Sequence, residues 1–244
     1  MKKSLLLLSI FSILMLSLSA CSISMITGSG KLTTETRSVS GFNSVLFAGL
    51  GDVTITQGQT EGLTIEAEDN IMPKIVTEVR GSQLYIGFER QNWQDIVRPT
   101  RSIKFTLSVK NLNSLEISGV GSLTAGTLRA EDLTVKVGGA GGVKIGDLEA
   151  TSLTTIMSGA GNVDIAGKVN TLDATLSGVG NFSCGNLQAN TAKINLTGAG
   201  GAKVWPLANL DVSITGAGSV SYYGNPKISK NITGIGVLNE LGSK

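Results

Sequence analysis

The sequence predicts an all-β protein built as a β-solenoid, in which successive coils of the chain stack on one another. Three observations favour this fold class. A Gly-x-Gly element recurs about every twenty residues in the second half of the 244-residue chain. Apolar and polar residues alternate on both sides of each copy, and no segment after residue 21 shows a sustained helical period.

Seven copies of the Gly-x-Gly element define the repeat, and their first glycines are 20, 20, 19, 20, 18 and 18 residues apart. The copies are Gly119-Val120-Gly121, Gly139-Ala140-Gly141, Gly159-Ala160-Gly161, Gly178-Val179-Gly180, Gly198-Ala199-Gly200, Gly216-Ala217-Gly218 and Gly234-Ile235-Gly236. An eighth copy, Gly49-Leu50-Gly51, stands 70 residues before the first of them. Stretches such as Leu133–Val137 and Val143–Ile145 place apolar residues at every second position, as in strands with one buried face.

Two architectures accommodate this repeat. In a meander or sandwich, each Gly-x-Gly is a hairpin turn between antiparallel strands. The near-constant period favours the solenoid, because stacked coils need nearly equal perimeters whereas hairpin lengths vary freely. We expect a parallel β-helix, right-handed as parallel crossovers generally are. Its glycine pairs would mark corners where the backbone needs a positive φ or where stacking leaves no space for a Cβ atom.

The chain before the regular repeats follows the same alternation with less regularity. We expect residues 35–111 to be a diverged, strand-rich N-terminal part that continues the faces of the solenoid or caps its first coil, and residues 112–244 to be the regular repeats. Residues 58–62 and 80–83 have the composition of hairpin turns. Residues 35–244 are therefore predicted to form one domain, preceded by a tether over residues 21–34.

Residues 1–20 have the features of a secretion signal. Two lysines precede an apolar run over residues 5–16, which is too short to span a bilayer because spanning takes about 20 apolar residues. The run ends in Leu18-Ser19-Ala20-Cys21, which resembles the lipobox of bacterial lipoproteins. That resemblance implies that Cys21 is lipidated and anchors an exported protein to the cell envelope. Ser22 stands where inner-membrane retention signals usually carry Asp, and this favours the outer membrane.

Composition excludes several classes of function. The formal net charge of +2 comes from Lys2 and Lys3, and the other residues include 18 basic and 18 acidic side chains. A neutral body argues against nucleic-acid binding. The chain contains no His, which excludes Ser-His-Asp and Cys-His catalysis and zinc sites that use His. We expect no metal and no cofactor, and we interpret Cys184 as a small buried hydrophobe.

A family pattern runs through these elements. Arg37-x-Val39-x-x-Phe42-x-x-Val45 leads into Gly49-x-Gly51-Asp52-Val53-x-Ile55-x-Gln57-Gly58, followed by residues 65–71, Thr77-Glu78-Val79 and Gly81-x-x-Leu84-x-Ile86. Together with the later repeats, this sequence resembles the family of the putative auto-transporter adhesin, head GIN domain, over about residues 35–240. The resemblance implies a secreted or lipid-anchored bacterial protein with a β-helical fold. It implies no catalytic or ligand-binding residues.

Acidic residues are densest at Glu66, Glu68 and Asp69. On a strand, Glu66 and Glu68 share one face and could bind a cation or act as an acid–base pair. The simpler interpretation, which we favour, is a solvated face opposite the alternating residues Leu63, Ile65 and Ala67.

One long stretch, residues 88–101, is irregular. Its Trp93 is flanked by Arg90, Arg98 and Arg101, a combination suited to contact with a protein or sugar partner. The simpler interpretation, which we favour, is a connection whose Trp folds back onto the core. Near the C-terminus, Trp205-Pro206 and Tyr222-Tyr223 interrupt the repeat, and we interpret them as residues that fill or cap the end of the solenoid.

These observations favour a non-enzymatic lipoprotein of the cell envelope that presents a rigid β-helical surface for binding or adhesion. Its partners would be the membrane, through the lipid on Cys21, and a protein or carbohydrate ligand. Two alternatives stay open: a polysaccharide-active enzyme on a β-helix, and a structural or envelope-maintenance lipoprotein facing the periplasm.

Overall fold

The computed structural model describes residues 24–89 and 95–244 as strands joined by turns, with a single helical turn, the 3-10 helix Met72–Lys74. The first half contains β1 (Ser24–Thr27), β2 (Leu32–Arg37), β3 (Ser44–Phe47), β4 (Leu50–Gln57), β5 (Gly62–Glu68), β6 (Ile75–Arg80), β7 (Gln83–Phe88), β8 (Asp95–Arg98) and β9 (Lys104–Val109). The second half contains β10 (Ser114–Ile117), β11 (Val120–Val137), β12 (Ala140–Met157), β13 (Ala160–Leu176), β14 (Val179–Leu196), β15 (Ala199–Ile214), β16 (Ala217–Tyr222), β17 (Lys227–Ile232) and β18 (Ile235–Glu240).

The predicted β-solenoid is confirmed. Strands β11 to β15 pair in parallel, each with the next, and the glycine elements are in register along the stack. We call the strand stretch before each element (residues 133–137 in β11) the pre-glycine face and the stretch after it (residues 120–125 in β11) the post-glycine face. The third face, residues 127–130 in β11, contains the register shifts that absorb the 18-to-20-residue variation in the repeat.

The glycine corner shows both physical reasons for its composition. Gly180 has a φ of +149°, a region that L side chains rarely adopt. A Cβ atom added there would lie less than 3.0 Å from the carbonyl oxygen of Gly161, one coil below. The corner is so tight because Ser158 and Gly159 both donate their backbone N–H groups, at 3.0 Å, to the carbonyl of Val137 in the preceding coil. A side chain at the corner would break this stacking.

The interior of the solenoid is filled by apolar side chains from the inward positions of each coil. Thr155 is an exception, because its side chain is fully buried in the inward column between Val135 and Ala174. Its Oγ1 atom has no hydrogen-bond partner among the described residues. An unsatisfied buried hydroxyl destabilises a fold, so the sequence is not optimised at this position.

Replacing Thr155 with valine should raise the free energy of unfolding by about 1 kcal/mol, because valine has the same shape and leaves no polar atom unpaired. The measurement is chemical denaturation of T155V beside T154V. Thr154 is the neighbouring, half-buried outward residue, where the same change should alter stability by less than about 0.5 kcal/mol. Equal effects of the two changes would show that the Thr155 hydroxyl is satisfied in solution.

The N-terminal part extends the stack in an order that differs from the order of the chain. The early strands β3 and β4 pair in parallel with β10 and β11, which aligns Gly51 with Gly121. The next coil down is formed by the later strands β7 and β9, which pair in parallel with β3 and β4. The 70 residues between the glycine copies at Gly49 and Gly119 therefore form the N-terminal end of the solenoid, before the chain continues the stack in β10 and β11.

Antiparallel strands cover this N-terminal end. β5 pairs with the outer edge of β9 and is itself covered by β2, while β6 forms a hairpin with β7 through the turn at residues 80–83. Residues 58–62 do not form the hairpin that their composition indicates, since β4 pairs with β9 and β11 and not with β5. Part of the predicted tether is strand: β1 pairs with β8, and β2 begins at Leu32.

The C-terminal end of the solenoid is less covered than the N-terminal end. Its last strands, β17 and β18, pair with β15 and β16 on one side only. Their apolar side chains lie at the surface, and Ile235, the central residue of the last glycine element, is 88% exposed. The residues after β18 fold back onto the last coil through hydrogen bonds from the N–H of Leu241 to Tyr222 O and from the N–H of Gly224 to Gly242 O.

Candidate binding surface

The structure places only part of the predicted contact loop. Cys21, Arg90 and Trp93 lie outside the described residues. Arg98, the last residue of β8, and Arg101, three residues further on, are both exposed. The lipidation site and the gathering of three arginines around a tryptophan therefore stay predictions.

The C-terminal part of that loop is anchored by a buried carboxylate. Glu68 ends β5 and is fully buried. It accepts hydrogen bonds from the backbone N–H of Gly30 at 2.6 Å, from Thr100 through both its N–H at 2.8 Å and its hydroxyl at 2.5 Å, and from the N–H of Arg101 at 3.4 Å. One side chain thus ties the segments after β1 and β8 to the cap of the solenoid.

The interpretation of Glu66, Glu68 and Asp69 as one solvated face is wrong for Glu68. The strand alternation ends at this residue, and its carboxylate turns inward because it is the acceptor for N–H groups of two other segments. Glu66 is solvated as predicted and forms an ion pair with Lys104 at 2.9 Å. Asp69 accepts a hydrogen bond from the Ser29 hydroxyl at 2.5 Å, so the three carboxylates hold structure and do not converge.

Glu68 should make the protein sensitive to acid. Burial alone raises the pKa of this carboxyl, but the hydrogen bonds from Thr100, Gly30 and Arg101 outweigh it and lower the pKa below its ordinary value of 4.5. Because the folded-state pKa is lowered, the stabilisation is complete above the unfolded-state pKa and is lost as the pH falls through the folded-state pKa.

We therefore expect E68Q to be less stable than the unchanged protein at pH 7, and the difference to shrink below about pH 4.5. Thermal unfolding across pH 3–7 measures this, with E66Q as the matched control because Glu66 lies two residues away in a solvent-exposed ion pair. A difference for E68Q that stays constant across this pH range would contradict the assignment.

Cys184 is fully buried, and its burial raises the pKa of the thiol. A thiol without charge is a poor nucleophile, so the residue packs as the small hydrophobe that the sequence predicts. Among residues 24–89 and 95–244, no group of three or more Cys, Asp or Glu side chains is arranged to hold a metal ion. The described part of the chain also has no helix long and apolar enough to cross a membrane.

The outward positions of the pre-glycine face form straight columns along the stack. One column runs from Thr134 through Thr154, Asp173, Lys193 and Asp211. Neighbouring positions in such a column are about 4.8 Å apart. Opposite charges therefore alternate over three successive coils on a rigid sheet.

This charged part of the column lies in a surface groove. The groove has a volume of about 450 Å³ and spans β13, β14, β15 and β17. Thr171, Asn209 and Ser229 add hydroxyl and amide groups, and Lys227 adds a second cation at the upper end. Such a groove offers both hydrogen-bond donors and acceptors at a regular spacing, as recognition of a polar ligand requires.

A second groove lies around the adjacent corner on the third face. It has a volume of about 510 Å³ and includes Glu149, Lys168, Asn170, Gln188 and Asn190. Lys168 and Arg129 both pair with Glu149, at 3.3 Å each, so the charged groups at its lower end are already engaged in ion pairs and leave one net positive charge. The groove on the pre-glycine face is therefore the better candidate site.

The fold and these surfaces define a β-solenoid with polar outer faces. The family model of the putative auto-transporter adhesin, head GIN domain, matches residues 41–226. The chain belongs to this family. An adhesin head indicates an extracellular or envelope-associated protein with a role in binding.

Solved structures agree with this fold. A putative adhesin from Bacteroides fragilis is 27% identical, with a TM-score of 0.82, and the match covers 88% of this chain and 100% of that one. A putative lipid binding protein from Parabacteroides distasonis is 24% identical, with a TM-score of 0.70 and coverage of 89% and 100%. A putative adhesin from Parabacteroides merdae is 22% identical, with a TM-score of 0.67 and coverage of 89% and 99%. No curated protein matches the chain.

Proposed function

We propose that this protein is a non-enzymatic lipoprotein of the cell envelope that binds a protein or carbohydrate partner through the groove on its pre-glycine face. The observation that carries the proposal is the alternation of Asp173, Lys193 and Asp211 within that groove. A solenoid holds these groups at fixed spacing, so little conformational entropy is lost when a partner binds.

The second part of the proposal is the anchor. The lipobox resemblance at Cys21 and Ser22 supports an N-terminal lipid and a place at the outer membrane. Several acyl chains on one residue give stable anchoring, whereas one chain binds only marginally. Metabolic labelling with a fatty acid should mark the unchanged protein and not C21A, and labelling of C21A would contradict the anchor.

The loop that contains Arg90, Trp93, Arg98 and Arg101 is a second proposed contact surface. Its support is the exposure of Arg98 and Arg101 and the anchoring of the loop by Glu68. Exposed arginines on a fixed segment suit contact with a partner.

A glycan array and a pulldown from envelope extracts, both with the purified protein, test the proposed function. We expect at least one polar glycan or one envelope protein to bind, with binding weakened by salt because the groove is charged. The proposal fails if neither screen gives a partner and deletion of the gene changes neither attachment nor envelope integrity.

A further inference from the structure

At one corner of the solenoid, the residue type changes from small to aromatic toward the C-terminal end. The residue that follows the last inward position of the post-glycine face is Gly126, Gly146 or Gly185 in three of the lower coils. The next two coils carry Trp205 and Tyr223 at the same place, after the paired inward residues Val204 and Tyr222. Two aromatic residues thus stand in successive coils at a corner position that three of the lower coils fill with glycine.

The ammonium group of Lys244 lies against both rings. Its Nζ atom is 4.9 Å from the centre of the Trp205 ring and 4.9 Å from the centre of the Tyr223 ring. The same group donates hydrogen bonds to the carbonyl oxygen of Gly185 and to Oδ1 of Asn186. We call the set Gly185, Asn186, Trp205 and Tyr223 the ammonium cage.

The cage recognises its cation without a carboxylate. Among the described residues, none of the ion pairs within 4.0 Å involves Lys244, whose contacts in the cage are two ring faces and two neutral oxygens. Ring faces attract any cation through their quadrupole. The two oxygens require N–H donors, which a primary ammonium has and a quaternary ammonium lacks.

We propose that the ammonium cage is a binding site for a lysine side chain, that Lys244 fills it in cis, and that a lysine of a partner polypeptide exchanges with Lys244. The observed occupant is itself a lysine, on a segment that hydrogen bonds at Leu241 and Gly242 hold against the last coil. The cage lies at a corner away from the groove of the pre-glycine face, so either site can fail without the other.

Lys244 competes with any external lysine for the cage, because it is attached to the same chain. A group held on a short segment has an effective concentration in the millimolar range or above, so Lys244 excludes weak external ligands. Removing it opens the cage. We expect K244A to bind an external lysine side chain about tenfold more tightly than the unchanged chain does.

The probe is Nα-acetyl-lysine amide, titrated into the full chain carrying W93F. This background leaves Trp205 as the single tryptophan, because the chain has two. Binding is read from Trp205 emission in the K244A variant and in K230A, which removes an equal charge from exposed β17. We expect a saturable millimolar response in K244A, a response about tenfold weaker in K230A, and none with the uncharged norleucine derivative.

A second measurement tests whether Lys244 occupies the cage. In the unchanged chain, ring currents from Trp205 and Tyr223 should shift the NMR signals of the Lys244 ε-methylene upfield, and W205L should reduce the shift because it removes one of the two rings. An unshifted signal would overturn occupancy by Lys244.

Three results with folded K244A would overturn the lysine assignment. They are no saturable response to Nα-acetyl-lysine amide, an equal response to tetramethylammonium, or binding only to vesicles that contain phosphatidylethanolamine. The last result would make the ligand a lipid headgroup. Circular dichroism of K244A confirms the fold before the titration is read, and N186A should weaken the response because it removes one acceptor.

Discussion

Replacing Gly180 with alanine should lower the free energy of unfolding by about 3–5 kcal/mol, combining backbone strain at a positive φ with overpacking of the corner. The backbone of Gly180 has a φ of +149°, and its added methyl group would overlap the carbonyl oxygen of Gly161. Neither neighbour can move easily, since the backbone on both sides is held in a parallel ladder.

The matched control is Gly126→Ala. Gly126 lies in the same solenoid, but a Cβ atom added there meets nothing within 4 Å. G126A should change stability by less than about 1 kcal/mol, in either direction. Chemical denaturation of both variants compares the same substitution at a closed and an open corner, and equal free energies of unfolding would contradict the in-register stacking of the glycine elements.

Replacing Phe105 with alanine should destabilise the protein by about 3–5 kcal/mol, the range for a large aromatic side chain removed from a packed core. Phe105 is buried at the N-terminal end, where its ring meets the ring of Phe47 edge to face at 5.4 Å between centroids. The two strands that carry these rings belong to adjacent coils built from distant parts of the chain.

Tyr85 provides the comparison for Phe105. It lies on β7 in the same terminal coil but points outward, with the Arg80 guanidinium 5.0 Å from its ring centre. Y85A should lower stability by less than about 1.5 kcal/mol, because an exposed cation–π contact contributes about 0.5–1 kcal/mol. If F105A were no worse than Y85A, β9 would not form the terminal coil.

The repeat itself was predictable because stacking imposes a constant perimeter. The spacing of the glycine copies determines which residues share a column, so Asp173, Lys193 and Asp211 follow from counting once the solenoid is accepted. The groove does not follow from counting, because counting assigns residues to a column and not a shape to the surface around it.

The order of coils at the N-terminal end was not predictable from local pattern. β7 and β9 read as strands in the sequence, but their position beneath the earlier β3 and β4 depends on pairing between residues about 40 to 50 apart. The burial of Glu68 has the same origin. The alternation of β5 places Glu68 on the solvent-exposed face. Its carboxylate is an internal hydrogen-bond acceptor only because Gly30 and Thr100 approach it.

Only part of the ammonium cage could be predicted from the sequence. Trp205 and Tyr223 interrupt the repeat visibly, and the sequence indicates that they fill or cap the end of the solenoid. Their pairing with Lys244 depends on the fold-back of the chain after β18, for which the local sequence has no marker.

A pair of double variants tests the proposed binding of a polar partner by the rigid pre-glycine face. K193A/D211A removes the alternating charges from the groove, while K144A/D164A removes an equivalent, exposed, in-register pair from the post-glycine face. Affinity for the partner found by screening should fall at least tenfold, or about 1.4 kcal/mol, in the first variant and stay within about twofold in the second. Equal affinities for the two variants, with both folded, would contradict the claim.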